Sequence, residues 1–248
     1  MADPAPNAVL LSLGGGVLAA GATVAGGWMV ARREWSRRYL RYLLALGAGF
    51  MLAAVFLEVI PEAYELSGSR ALLYALAGYL VVHLFVHTLS QHVHFGEETH
   101  LEAVRPGHTA EVALAGLVLH ALFDGVMVGA GFLVSEYLGG VLLAAVVLHK
   151  LPEGFTVASL MLARGRTQRN AFAAACGLGA ATLAGSLFTA FLARQAGVVL
   201  PFSAGLTLYV AASDLVPEVN QERDLSVAAT VFLGAAALAV AHFALHAG

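Results

Sequence analysis

His120-Ala-Leu-Phe-Asp124-Gly125 and His149-Lys-Leu-Pro-Glu153-Gly154 are two copies of one pattern, His-x-x-x-acid-Gly. Residues four apart on a helix share a face, so each copy offers one imidazole and one carboxylate to the same neighbour. Both copies fall near the middle of apolar runs, on consecutive and therefore antiparallel crossings of a bilayer. An ionisable side chain at that depth costs at least about 2.5–3.5 kcal/mol on insertion scales, so it must be paired, hydrated or metal-bound. Two imidazoles and two carboxylates form a nitrogen and oxygen set suited to a borderline divalent cation such as zinc. Two carboxylates also balance its charge. His120, Asp124, His149 and Glu153 are therefore the candidate metal ligands. A plainer reading is a His–carboxylate hydrogen-bond lattice tying two helices together; the duplication, and the Gly and Pro around it, favour the metal.

These residues need a membrane-spanning frame, and the composition supplies it. The chain has 248 residues, 59% of them hydrophobic and 12% charged, with a mean hydropathy of +0.80. Eight helices of about 20 apolar residues each would use roughly 160 residues and leave only short connections. The fold class expected is an all-α polytopic membrane protein, a single transmembrane domain over 1–248, which excludes a soluble enzyme or a large extramembrane domain. Apolar segments fall near 8–31, 42–62, 71–91, 111–133, 139–163, 171–193, 201–219 and 225–246. The first is read as a retained span, because no basic residue precedes it and it is longer than a signal-peptide core. The single cysteine, Cys176, rules out an internal disulfide framework and a thiolate metal cluster. A net charge of −3 says little about partners, and no nucleic-acid partner is expected.

Twelve of the thirteen basic residues are arginines outside the span centres. Ten of them follow odd-numbered spans, and only Arg70 and Arg194 lie in the alternate loops. The positive-inside rule then places the odd-to-even loops in the cytoplasm and both termini outside. The compact Ala/Gly-rich chain suggests a bacterial inner membrane.

Spans two and seven carry an internal echo. Gly47 to Glu62 aligns without gaps on Ser203 to Glu218, with identities at Ala48/Ala204, Gly49/Gly205, Leu52/Leu208, Pro61/Pro217 and Glu62/Glu218, and Glu58 opposite Asp214. The two spans run in opposite directions, so the repeat is inverted. Inverted repeats with Pro-interrupted helices are characteristic of secondary transporters, whose site lies between the halves near the midplane. Proline lacks an N–H and clashes with the carbonyl one turn back, so Pro61, Pro152 and Pro217 leave the carbonyls of Leu57, Leu148 and Ser213 as spare acceptors. Gly125, Gly129, Gly131 and Gly154 are read as close helix contacts. Glu58 with Glu62, near the outer end of span two, and Asp214 with Glu218, near the inner end of span seven, are candidate pathway acids at two mouths. Six of the ten histidines, His83, His87, His92, His94, His100 and His108, lie within 26 residues after or at the end of span three. With Glu97, Glu98 and Glu102 among them, they form a candidate cytosolic metal-collecting loop over 92–110. His242 and His246 read as interfacial side chains.

Together these features resemble the ZIP (Zrt/Irt-like) metal-ion transporter family over nearly the whole chain. The duplicated His-x-x-x-acid-Gly, the His-rich loop after span three and the Ser203-Ala-Gly to Pro217-Glu218 segment carry the resemblance. It implies movement of zinc, and often iron, manganese or cadmium, into the cytosol. It further implies a 3+2+3 helix arrangement, an elevator-like movement of the metal-carrying helices, and often a homodimer. Many members resemble a two-metal design whose second-site ligands would fall here at Ala121, Lys150 and Ala180, none of which provides the ligand expected. The departure implies a single transport metal, with the Lys150 ammonium standing in for the second cation.

The rival from another class is a membrane-embedded zinc hydrolase, with three ligands and a bound water. It would need a general base, and no H-E-x-x-H occurs. A metal sensor would need a signalling domain, for which the residues outside the spans leave no room. The expectation is a transporter rather than an enzyme, with no resident cofactor; its partners are divalent cations and the lipid bilayer.

Overall fold

The structure is a computed structural model that describes residues 6–32, 37–89, 109–163, 165–192, 195–220 and 224–246. All of its regular elements are helical. Helix α1 is Pro6–Arg32. Helix α2 joins Arg37–Ala54 to Ile60–Ser67 through a π turn at Val55–Val59. Helices α3, α4, α5 and α6 are Arg70–Leu89, Thr109–Val134, Glu136–Ala163 and Gln168–Phe191. Helix α7 joins Ala196–Tyr209 to Val216–Asn220 through a π turn at Val210–Leu215, and α8 is Leu225–His246. Seven of the eight are long and apolar enough to cross a membrane, and α3 adds a shorter apolar stretch, Arg70–Phe85. Helices thus cover all eight of the expected apolar segments.

Tight connections fix the hairpins. Gly68, at φ 58° and ψ −146°, takes a positive-φ conformation open essentially to glycine and ends α2. Between α4 and α5 stands Ser135 alone, whose hydroxyl accepts from the Leu138 N–H at 3.1 Å and caps α5. On α6, the Thr167 side chain accepts from the Asn170 N–H.

Packing sorts the helices into two groups of four. Helices α1, α4, α5 and α6 pack mainly on one another, while α2 pairs with α8 and α3 with α7. The second group meets the first chiefly where α2 lies on α5 and α7 on α4. In a membrane no hydrophobic drive separates helix from lipid, so small residues that let backbones approach decide such pairings. A Cβ on Gly26 would strike the Leu151 carbonyl, and one on Gly154 the Thr23 carbonyl, which brings α1 onto α5. Gly125 and Gly185 do the same between α4 and α6, against the carbonyls of Thr182 and Leu122.

The inverted repeat is visible in three dimensions. Gly49 faces the Val231 carbonyl on α8, and its repeat equivalent Gly205 faces the Ala75 carbonyl on α3. The two π turns also coincide in the alignment: Ile60 N–H bonds Val55 O, and Val216 N–H bonds Ala211 O. Each lies just before Pro61 or Pro217. Where a kink and a spare carbonyl were expected from proline alone, the helix has widened to i→i+5 bonds, which moves the backbone facing the ring and rotates the preceding acid.

Candidate metal centre

Helices α4 and α5 form an antiparallel hairpin about Ser135. Asp124 precedes that residue by 11 positions and His149 follows it by 14. At 1.5 Å per residue these lie about 17 and 21 Å from the turn, near the middle of a bilayer core of about 30 Å. The two motifs meet there. One ligand atom from each of His120, Asp124, His149 and Glu153 lies within 4.8 Å of the others. Zinc with ligands at about 2.0–2.2 Å would bring tetrahedral donors to roughly 3.4 Å apart, so rotamer-scale closure completes the shell.

Asp124 is the centre of the cluster. Its Oδ2 lies 3.2 Å from His120 Nε2, 3.3 Å from His149 Nε2 and 2.7 Å from Lys150 Nζ. The Lys150 ammonium also pairs with Glu153 Oε2. Asp124 and His149 are buried, and Lys150 is 0% exposed. The glycine after each acid explains the motif: one position on, it turns to the outer neighbour and presses against its backbone, leaving the acid free to face the opposite motif.

The hydrogen bonds prepare these groups to bind a cation. His149 Nδ1 lies 3.1 Å from the Ala145 carbonyl. A carbonyl only accepts, so Nδ1 is the donor there, and this bond orients the ring with Nε2 toward the cluster, the nitrogen left for a metal. Glu153 Oε1 is buried and has no hydrogen-bond partner among the described residues. That oxygen is available to coordinate.

The other candidate residues are placed less uniformly. Glu58 and Asp214 are both buried in the two π turns. Glu58 is not a solvated helix end: its Oε1 accepts from the Tyr137 hydroxyl at 2.6 Å and lies 2.8 Å from His242 Nδ1. His242 is therefore no mere interfacial side chain, contrary to the sequence expectation. An aromatic or histidine near a span end reads as a headgroup anchor unless its partner on another helix is known. Glu62 lies one turn beyond Glu58 and is half-buried. Glu218 is helical, but its side chain lies outside the described residues, as does that of His87. His83 is exposed on α3 with its ring 6.2 Å from that of Tyr209. His92, His94, His100 and His108 lie outside the described residues.

A helical, polytopic membrane protein with a buried, two-histidine, two-carboxylate centre at mid-depth is of the class that handles metal cations within the bilayer. Residues 96–242 match the ZIP zinc transporter family. The chain belongs to that family. It is 25% identical over 237 residues to zinc transporter ZIP9-B of Xenopus laevis and 28% identical over 243 residues to zinc transporter ZIP9 of Micropogonias undulatus, covering 75% of this chain and 78% of each relative. It is 24% identical over 216 residues to zinc transporter ZIP13 of Pongo abelii, covering 78% of this chain and 62% of that protein.

Proposed function

We propose that this protein carries a divalent cation, zinc first and iron, manganese or cadmium as further cargo, into the cytosol through one mid-membrane site. The observation that carries the reading is the convergence of His120, Asp124, His149 and Glu153 from two antiparallel helices, together with family membership. Two imidazoles and two carboxylates bind a borderline divalent ion without favouring one metal outright. Lys150 takes the place of a second cation, so one metal is bound per chain.

The grouping of helices supports alternating access. The four ligands sit in α4 and α5, within the α1, α4, α5, α6 group, and this group moves against the other four in an elevator-like manner. Glu58, Glu62, Asp214 and Glu218 line the pathway at its two mouths. The histidines from His83 to His108 collect metal on the cytosolic side. The protein works as a transporter, not an enzyme: the two carboxylates of the cluster are both committed as ligands and as partners of Lys150, which leaves neither as the general base a hydrolase requires. The arginine distribution supports both termini outside the cytoplasm, the Ala/Gly-rich composition supports a bacterial inner membrane, and a homodimer fits the family.

The test is zinc uptake into proteoliposomes by the purified full chain, beside Glu153→Ala, with metal content measured on the same samples. Saturable uptake that is lost in the variant, with about one metal per chain, is the expected result. Bound zinc without flux would reject transport in favour of a sensor or hydrolase.

A further inference from the structure

We infer that Glu58, Tyr137 and His242 form a gate, a three-helix polar junction that closes one end of the pathway and must open for the metal-carrying helices to move. The inference rests on the alternating-access reading above. Tyr137 is the second residue of α5, the helix that carries His149, Lys150 and Glu153. Glu58 and His242 belong to α2 and α8, in the other group of four. The Tyr137 hydroxyl donates to Glu58 Oε1 at 2.6 Å, and His242 Nδ1 lies 2.8 Å from that same oxygen. One carboxylate oxygen thus ties the two groups together at the end where α2 finishes and α5 begins.

Several features set this junction apart from an ordinary packing contact. Glu58 is buried, and its position depends on the π turn, an irregular element that recurs at functional sites because it re-aims one side chain. The same irregularity recurs in the inverted repeat and holds Asp214, so an acid in a π turn is built into both halves. The remainder of the α2–α5 contact includes apolar pairs such as Gly47 against Leu148, which slide without breaking a polar bond. The junction also joins the two groups polarly, whereas Tyr42 and Ser226, whose hydroxyls are 2.8 Å apart on α2 and α8, join helices of one group only. Relative motion of the groups must break the first bond and can leave the second intact. Tyr137 and His242 are positioning residues in this scheme, acting through Glu58 and touching no cargo.

The experiment uses the full chain in proteoliposomes on a Cys176→Ser background. Glu58→Cys with Tyr137→Cys is joined by a short bifunctional methanethiosulfonate, and Tyr42→Cys with Ser226→Cys is joined in the same way. Linking the first pair is expected to cut zinc uptake at least tenfold, with recovery on reduction; linking the second should leave uptake within twofold. Undiminished uptake through the first linked pair overturns the gate. A second measurement covers the case in which those cysteines disrupt the protein. Tyr137→Phe keeps the ring and removes the bond; it should speed modification of Val141→Cys, buried one turn further along α5, by an impermeant methanethiosulfonate at least threefold, and change kcat for uptake while zinc affinity holds. Equal labelling with unchanged kcat overturns the inference. If the unmodified protein takes up no zinc, the transport reading fails by itself, and the labelling rates still decide whether Tyr137 holds this end shut.

Discussion

Lys150 Nζ lies 2.7 Å from Asp124 Oδ2 and also contacts Glu153, so a tethered ammonium stands among the four candidate metal ligands. Both carboxylates would otherwise face each other in a low-dielectric interior with their charge unmet. The ammonium thus meets part of that carboxylate charge. Its stem comes from α5, one position after His149, which turns it toward the carboxylates of both motifs.

Replacing Lys150 by methionine keeps the volume and removes the charge. The metal-free protein should lose about 3–5 kcal/mol, the cost of leaving buried charges unpaired, and zinc should restore most of the lost thermal stability. Zinc should bind about tenfold tighter or more, because the neighbouring ammonium no longer repels it, and uptake should slow because release slows. Isothermal titration, metal content and uptake on the same preparation test this. Unaltered affinity, stoichiometry and uptake would show that Lys150 has no part in the cation balance.

Loss of a ligand carboxylate should act differently from loss of the lysine. Asp124→Asn and Glu153→Gln keep shape but remove charge, and each should weaken zinc binding by more than the roughly 10–100-fold that outer-shell partners of a metal site command. Because the amides leave Lys150 less well paired, neither variant should be rescued by zinc at concentrations that saturate the parent. Equilibrium dialysis against zinc is the measurement, and wild-type affinity in both variants would remove Asp124 and Glu153 from the site.

Much of this architecture was legible in the sequence because it depends on short-range pattern. Apolar runs of bilayer length marked all eight helices, and the four-residue spacing of His120 with Asp124 and His149 with Glu153 fixed a common face. Even the repeat showed, through Gly49/Gly205 and Pro61/Pro217. The π turns did not, since a proline is compatible with a kink or with a widened turn, and the carbonyl geometry that chooses between them is set by neighbouring helices. Tyr137 carries no signal in the sequence and His242 reads as interfacial for a related reason: their partner Glu58 is 79 and 184 residues distant, and nothing local distinguishes them from headgroup anchors. The sorting into two groups of four likewise rests on contacts such as Gly26 with Leu151 that join helices far apart in the chain.

The glycine that closes each motif offers a final test, because its role is steric and separable from ligation. A Cβ at Gly154 would meet the Thr23 backbone on α1, and no flexible side chain is there to yield. Gly154→Val should therefore push α5 from α1, cost about 1–3 kcal/mol as overpacking does, and displace the adjacent Glu153 carboxylate from Asp124 and the two histidines. Zinc affinity should fall although every ligand is retained. Gly140→Ala makes the control, since on the same helix nothing lies within 4 Å of its added Cβ. Thermal unfolding and zinc titration of the two variants in detergent would separate them. Equal stability and affinity would mean that the α1–α5 contact does not hold Glu153 in place, and the explanation of the motif's final glycine would have to be abandoned.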